Sequence, residues 1–408
     1  MIQYAIVGAG GYAAVHIRGI AQAGAGLGCR LAAAAIRPQD RTDGQVERFE
    51  AQGVRLFADA VEMFDALAGK VDAVFIPTGI ATHAPLACAA MERGHNVYVE
   101  KPPAGTVQEV DQILSAQRRS GAVCALGFQA IYSTSVNRIK DLLASGALGE
   151  VLRLRCRAFW PRPDSYYARN EWAGRLRCGD AWVLDGPSNN ALSHQIANML
   201  YWASPRPRTF AAPVRVRAEL YHAHDIDSED TAGIEIATAE GPTAYFLVSH
   251  CTAGEQTGPW IEIDCSGGTV GWDAAGATTI TRADGRAETF PADDRSRLEA
   301  LANFTDAVGA ADPERVLCTM TMGRNFAVAL NGAFESSVVT RAIDPRYVRR
   351  CGEGPESTLV IDGINDAITR CAAEGKLFSD IGCPWAVPPA PFDLRGYEHF
   401  PQQFRGSE

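Results

Sequence analysis

Two short stretches of this chain hold side chains that could do chemistry. Asn96-Val97-Tyr98-Val99-Glu100-Lys101-Pro102-Pro103 places a carboxylate and an amine at the end of an apolar run, closed by two prolines. Val97, Tyr98 and Val99 favour a strand, and Pro102 cannot continue a central one. Lys101 is therefore expected at the carboxyl end of a strand, where open α/β sheets bind ligands. Its position before a proline restricts it to extended geometry, and the Lys101–Pro102 bond could be cis. An ammonium there could hydrogen-bond an oxygen on which negative charge develops. It could equally be a solvated strand end. In the second stretch Asn190, His194 and Asn198 recur every four residues and make one polar stripe on a helix. An imidazole titrates near neutral pH and could accept a proton, but such a stripe also suits a solvated face.

Alternating strand and helix patterns position Lys101. Gln3 to Val7 reads as a strand and runs into Gly8-Ala9-Gly10-Gly11-Tyr12-Ala13, a Gly-x-Gly-x-x-Ala turn. Gly8 permits the tight turn, Gly10 lets backbone approach a pyrophosphate, and Ala13 keeps the next helix close to the sheet. That helix, about 12–23, points its N-terminus at the phosphates. The second strand, 31–36, ends in Arg37-Pro38-Gln39-Asp40-Arg41. A carboxylate at this point favours NAD, whereas the Arg37 guanidinium can pair with a 2′-phosphate, so NADP is the preferred cofactor and NAD the alternative. A strand over 71–77 leads to Thr78-Gly79, and Thr82-His83-Ala84-Pro85 opens a helix with Thr82 as its cap. A helix over 107–120 and a strand over 123–128 complete a doubly wound parallel sheet.

The pattern then changes. A helix at 136–145 and a strand at 151–159 precede the segment 160–172, which holds Trp160, Arg162, Tyr166 and Trp172. Aromatic faces beside guanidinium and carboxylate groups suit a carbohydrate. Asp185-Gly186-Pro187-Ser188 leads into a helix over 189–202, with Ser188 as cap and Leu192, Ile196, Met199 and Leu200 as its apolar face. Strands at 215–220, 233–236, 244–248, 260–264 and 278–281 predict a mostly antiparallel sheet. The helices at 136–145 and 189–202 should cover one face of it, and no helix remains in sequence for the other. A homodimer or homotetramer through that open face is expected. Helices near 297–310 and 324–337 close the core. Beyond residue 343, a helical segment near 359–373 and the run Pro384 to Phe392 suggest an extension lying on its own or a neighbouring subunit. His222-Ala223-His224-Asp225-Ile226-Asp227 holds residue types that bind zinc. The segment reads as a loop, however, and hydride chemistry with nicotinamide needs no metal, so no metal is expected.

Taken together, these motifs resemble the glucose–fructose oxidoreductase, inositol dehydrogenase and rhizopine-catabolism (Gfo/Idh/MocA) family of NAD(P)-dependent oxidoreductases. The resemblance rests on Gly8-x-Gly10-x-x-Ala13, Asp72 to Thr78, His83-Ala84-Pro85-Leu86 and Val97 to Pro102. It continues through Gly127-Phe128, Ser145 to Glu150, His194, Glu229-Asp230-Thr231-Ala232 and Asn303 to Val308. It spans about residues 1–342. It implies a Rossmann domain followed by an α+β domain with a large open-faced sheet. It implies cofactor contacts from Gly8, Gly10, Gly11, Tyr12, Ala13, Arg37, Thr78, His83, Glu100 and Lys101. His194 falls at the family's catalytic histidine, with Lys101 across the cleft, and Trp160, Arg162, Tyr166, Trp172, Asp185 and Asn190 around the substrate. One departure stands out: the family's aspartate four residues before the histidine is Asn190, and Asp185 could supply the missing charge. The implied reaction is hydride transfer between nicotinamide and a secondary alcohol of a sugar, polyol or sugar acid. The alternatives are an NAD-using glycosidase that oxidises its sugar transiently, and a cofactor-binding sensor without turnover.

Length and composition agree with that outline. The chain has 408 residues, enough for two domains, and 47% hydrophobic and 21% charged residues, a balance that builds sizeable cores. The expected boundaries are 1–126, 127–342 and an extension at 343–408. A net charge of −10 with no basic run argues against a nucleic-acid partner. Eleven cysteines without Cys-x-x-Cys spacing suit reduced thiols in a cytoplasmic protein. The first residues read as a core strand rather than a signal peptide, and no apolar run suits a membrane span.

Overall fold

The computed structural model describes residues 1–292 and 295–408, which fall into two units. Unit 1 takes residues 1–104, 108–133 and 295–324. Its strands are β1 (Ile2–Val7), β2 (Cys29–Ala35), β3 (Arg55–Phe57), β4 (Ala73–Ile76), β5 (Asn96–Glu100) and β6 (Cys124–Gly127). All pair in parallel, in the order β3-β2-β1-β4-β5-β6. Between them run α1 (Ala13–Leu27), α2 (Asp43–Ala51), α3 (Ala60–Leu67), α4 (His83–Met91) and α5 (Val107–Ser120). Helix α1 extends one turn past its expected end and stops at Gly28, whose left-handed φ of 70° lets its N–H bond back to the Gly24 carbonyl. Thr82 makes no side-chain cap; its hydroxyl donates to Thr78 Oγ1 and the Gly79 carbonyl instead.

One helix joins a core that its chain position does not reveal. Phe304, on α9 (Ser296–Ala310), is fully buried, with ring centroids 5.9 Å from Tyr4 and 5.5 Å from Phe75. The Tyr4 hydroxyl lies 2.8 Å from Thr305 Oγ1. These aromatic contacts put residues 295–324 in unit 1, although the sequence groups them with the second domain.

Unit 2 contains α6 (Thr134–Ala144), β7 (Val151–Phe159) and a single helical turn, α7 (Asp164–Tyr167). A small hairpin follows, β8 (Arg177–Cys178) and β9 (Ala181–Trp182), and then α8 (Ser193–Ala203). The main sheet adds β10 (Pro213–His222), β11 (Thr231–Thr238), β12 (Thr243–Ser249), β13 (Thr257–Cys265), β14 (Gly268–Asp273), β15 (Thr278–Arg282) and β16 (Ala287–Phe290). Its order is β16-β15-β14-β13-β7-β12-β11-β10, with β7 and β12 parallel and the other pairs antiparallel. Strand β14 escapes sequence reading because Gly268 and Gly271 interrupt its pattern. Its inward Trp272 nevertheless packs 5.8 Å from Trp202 of α8.

The expectation that the second sheet face lacks a helix is overturned. Phe246 and Leu247, neighbours on β12, point to opposite faces and both are fully buried. The chain after α10 (Met320–Ser337) forms β17 (Arg341–Ala342), β18 (Val348–Cys351), β19 (Thr358–Ile361), α11 (Ile364–Glu374) and β20 (Phe392–Asp393). Leu247 clusters with Ile364, Ile368, Leu377 and Phe378 of this segment. The expected helix near 359–373 is thus a strand and a shorter helix, divided at Gly363 with φ 72°. Polar pins hold the segment down. Arg155 donates to the Ala372 carbonyl (3.1 Å), Arg217 pairs with Asp380 (2.8 Å), and the buried Glu219 accepts the Ser379 N–H and hydroxyl. Trp385 of the proline-rich run packs 5.1 Å from Tyr221 of β10. Farther along, the buried Glu335 carboxylate accepts the Tyr397 hydroxyl (2.8 Å) and the N–H groups of Gln402 (2.6 Å), Gln403 (2.7 Å) and Phe404 (2.9 Å). Phe400 then packs edge-on against Trp182 of β9 at 5.0 Å, and Phe404 meets it tilted at 6.0 Å. Among the described residues no helix is long and apolar enough to cross a membrane.

Candidate active site

Each unit holds one group of the expected site residues. In unit 1 the turn after β1 has Gly8 at φ 88° and Gly11 at φ 52°, conformations that favour glycine. A Cβ on Gly10 or Gly11 would meet nothing within 4 Å, so the backbone there lies open to a ligand. Ala13 packs close to Gly8, and the first turn of α1 carries no acidic side chain to repel a phosphate. Tyr12 borders this turn, its hydroxyl 3.4 Å from Arg297 Nε. These features fit a dinucleotide. At the tip of β2, Arg37 Nε donates to Asp40 at 2.5 Å, and the Arg37 side chain is 72% exposed.

Glu100 ends β5 as a buried carboxylate. It takes a 2.8 Å contact from His16 Nε2 of α1 and the Lys101 N–H at 3.1 Å. Gly127, its register partner on β6, is required: a Cβ there would sit 2.8 Å from the carboxylate. Lys101 follows, half-buried, and the Lys101–Pro102 bond is cis. His83 is buried rather than open. Its ring spans the Pro102 carbonyl (2.8 Å) and the Thr78 carbonyl (3.0 Å), joining the loops after β4 and β5. Burial lowers its pKa below the ordinary value despite those two carbonyls.

In unit 2 the polar stripe is not a solvated face. Residues Pro187–Ala191 form a π-turn before α8, so Asn190 lies in the turn, His194 is half-buried on the helix and Asn198 is fully buried. Ser188 does not cap the helix. Its N–H and hydroxyl both donate to Glu229 Oε1, and Ser228 donates to Oε2 at 2.8 Å. Burial pushes Glu229 up to about 7. Gly186 makes room for it, since a Cβ there would lie 2.2 Å from the carboxylate.

Asp185, 2% exposed, is the hub of this group. Its Oδ1 accepts Asn190 Nδ2 at 2.7 Å, and its Oδ2 accepts Arg169 Nη2 at 3.1 Å and the Gly174 N–H at 2.8 Å. Burial raises its pKa, opposed first by the charge of Arg169. Arg169 lies over the ring of Tyr166 (3.8 Å) and near that of Trp172 (5.3 Å). Arg162 lies 5.0 Å from the rings of both Trp160 and Tyr166. Trp160 donates its indole N–H to the Gly258 carbonyl at 3.2 Å. Sequence reading missed Arg169 and Glu229 as organisers. Both lay in stretches it had marked, but nothing local says that Arg169 turns back to Asp185 or that Glu229 reaches Ser188 across 41 residues.

The zinc-like sequence run does not converge. His222 Nδ1 contacts the His224 carbonyl, while His224, Asp230 and Cys251 come together instead, with potential ligand atoms within 4.8 Å. Asp230 Oδ2 already accepts His224 Nδ1 (2.9 Å) and the N–H groups of Ala223 (2.8 Å) and His224 (2.9 Å). Burial works against the Asp230 charge, but these bonds outweigh it and hold the group at about 2.

Comparison with known proteins places the chain. Residues 2–128 match the model of an oxidoreductase family with an NAD-binding Rossmann fold, and residues 136–271 match the GFO/IDH/MocA C-terminal domain. The chain belongs to the GFO/IDH/MocA oxidoreductase family. Residues 2–128, most of which lie in unit 1, are accordingly its NAD-binding Rossmann domain. Among curated relatives, a dTDP-3,4-didehydro-2,6-dideoxy-alpha-D-glucose 3-reductase of Streptomyces violaceoruber is 35% identical over 97 residues, 23% of this chain and 28% of that protein. An inositol 2-dehydrogenase of Azotobacter vinelandii is 30% identical over 151 residues, 37% of this chain and 39% of that protein. The matches thus span well under half the length of these relatives. The WlbA dehydrogenase of Bordetella pertussis, solved with NADH and UDP-GlcNAcA, superposes with a TM-score of 0.67 at 21% identity. That match covers 82% of this chain and 96% of WlbA. A levoglucosan dehydrogenase in complex with NADH gives 0.69 at 16% identity, with coverage of 82% and 96%. At these identities the likeness is one of fold.

Proposed function

We propose that this family member transfers a hydride between nicotinamide and a secondary alcohol of a sugar, polyol or sugar acid. The observation that carries the reading is the setting of Lys101. An ammonium follows directly on a buried, fully engaged carboxylate at the carboxyl end of β5 in an NAD-binding domain. The bound nicotinamide supplies the hydride acceptor. Lys101 hydrogen-bonds the reacting oxygen and stabilises developing alkoxide. His194 takes the hydroxyl proton, the general-base role to which an imidazole is suited. Asn190, clamped by Asp185, orients the histidine or binds a neighbouring hydroxyl. The names of the curated relatives, a dTDP-sugar reductase and an inositol dehydrogenase, support the sugar and polyol class.

NADP is the preferred form of the cofactor in this reading. The exposed Arg37–Asp40 pair contributes little, about 0–1 kcal/mol, so a 2′-phosphate can displace Asp40 from the guanidinium. With Arg37 kept by Asp40, the ribose hydroxyls of NAD can be read instead. Self-association as a homodimer or homotetramer through the open face has less room than the sequence suggests, because the C-terminal segment occupies its centre. The part of the sheet left for it carries the exposed Thr269, Thr279 and Thr281. A monomer by light scattering at micromolar concentration would remove that pairing.

The test of function is near-ultraviolet absorbance of the purified chain with NAD or NADP and a panel of sugars and polyols. Net cofactor reduction supports the dehydrogenase. Cleavage of a nitrophenyl glycoside without net reduction points to an NAD-using glycosidase, and cofactor binding with neither activity to a sensor.

A further inference from the structure

Among the described residues, Arg162 is a half-buried charge of the 160–185 region with no carboxylate paired to it, whereas Glu171, Arg177 and Asp180 are exposed. Its backbone N–H is fixed to the His250 carbonyl at 3.0 Å, and its guanidinium is held 5.0 Å from the rings of Trp160 and Tyr166. Nη1 donates to Gln256 Oε1 at 3.0 Å, while Nε is buried and has no acceptor. Among the described residues no carboxylate forms an ion pair with it. The neighbouring carboxylates are spoken for: Asp164 pairs with Arg350, Asp185 with Arg169, and Asp230 with His224. His250 is neutral, since burial, followed by the Arg162 charge, pushes it down to about 3. Glu255, beside Gln256, is exposed and makes no ion pair with Arg162.

The buried Nε of Arg162 is a desolvated donor on a cation, which is costly to leave unpaired. Unlike Arg155 and Arg157, whose Nε atoms are also buried, Arg162 has no carboxylate among the described residues to offset it. A guanidinium held beside two rings, with its Nε lacking an acceptor, is pre-organised for a planar or tetrahedral anion. We propose that Arg162 forms an anion subsite and that the ligand is a sugar carrying a carboxylate or a phosphate, whose oxygens take the Nε–H and an Nη–H. This rests on the reading of the chain as a sugar oxidoreductase and narrows the substrate class to charged sugars. Tyr166, shared between Arg162 and Arg169, links the subsite to Asp185 and thence to Asn190 on the turn before His194.

The experiment measures thermal shift and cofactor reduction with matched probes, in the presence of NAD and then NADP. The probes are D-glucuronate, D-galacturonate, D-gluconate and D-glucose 6-phosphate, against D-glucose, D-galactose and sorbitol. At least one charged sugar should bind more tightly than its neutral counterpart. Arg162→Gln should weaken that probe about 10- to 100-fold, mainly in KM, with at least tenfold less effect on the neutral one. Arg162→Lys should recover part of the loss, and it serves as the test variant if the glutamine form does not fold. A response confined to the sugar acids identifies the anion as a carboxylate, and one confined to glucose 6-phosphate as a phosphate. Neutral sugars binding as well as charged ones, equal losses for both in Arg162→Gln, or no shift with any charged probe would each overturn the subsite. Failure of the hydride reading looks different: Arg162-dependent shifts would persist with no cofactor reduced. Reduction with neutral sugars alone would leave hydride transfer standing and sink the subsite.

Discussion

Glu100, which precedes Lys101, and Asp185, which holds Asn190 in the turn before the His194 helix, are both buried carboxylates, and they are held in opposite ways. The partners of Glu100 are His16 on α1, the next residue's N–H and the space left by Gly127 on the adjacent strand. Gly127 follows from parallel register, the Lys101 N–H from the next residue in the chain, and His16 from α1, the helix after β1. The partners of Asp185 are Arg169, Gly174 and Asn190, from an irregular loop and a π-turn. That loop borders the β8–β9 hairpin, whose Trp182 packs on Phe400 and Phe404 near the end of the chain. A group at a strand end inherits its position from the sheet. A group on a loop depends on side-chain pairs and on a distant segment docking correctly. The unit 2 group should therefore be the more fragile of the two.

The largest expected effect tests whether both groups serve one reaction. Lys101→Ala and His194→Ala should each lower kcat by about 100-fold or more, with cofactor affinity within a few-fold. Near-normal kcat in Lys101→Ala would leave the lysine as a strand end only.

Next comes the fragility itself. Asp185→Ala leaves the Arg169 charge and the Asn190 amide without their carboxylate. It should cost about 3 kcal/mol in chemical denaturation. A loss well under 1 kcal/mol would break the contrast between the two units.

A pH series sharpens it further. Burial lifts Glu229 to about 7, so between the unfolded carboxyl value and that point the folded chain holds a proton the unfolded chain has released. The stability Glu229 contributes is fully present below the unfolded carboxyl value and is lost as pH rises through about 7. Glu219, also about 7, acts with the same sign. His250, pushed down to about 3, acts in the opposite window and removes stability as pH falls below the ordinary histidine range. Glu229→Gln should flatten the loss between about pH 5 and 8 by about 2 kcal/mol and leave the acid limb alone. An unchanged slope would mean that Glu229 does not titrate there.

The smallest effect falls on unit 1. Arg37→Asp should weaken NADP about tenfold more than NAD in titrations of each cofactor, through loss of a cation and added repulsion at the 2′-phosphate. Equal losses would mean that Arg37 never meets the phosphate.

Much of unit 1 was legible because its signals are local. The glycine turn, the apolar run ending at Glu100 and the breaker Pro102 each act within a few residues; in unit 2 the same holds for both ends of β7, Val151 and Phe159. Lys101 stands out by its place at a strand end before a proline, whereas His194 stands out by the family resemblance as well as its polar stripe. Tertiary structure decided the rest. It joined Phe304 to the core of Tyr4 and Phe75, placed Asn198 inside rather than at the surface, turned Arg169 onto Asp185 and laid α11 over the sheet face that had looked bare. The physical reason is the same in each case. Periodicity shows that a face is apolar and composition shows that a charge needs a partner, but which surface covers the face, and which charge answers, depends on residues that meet only when the chain is folded.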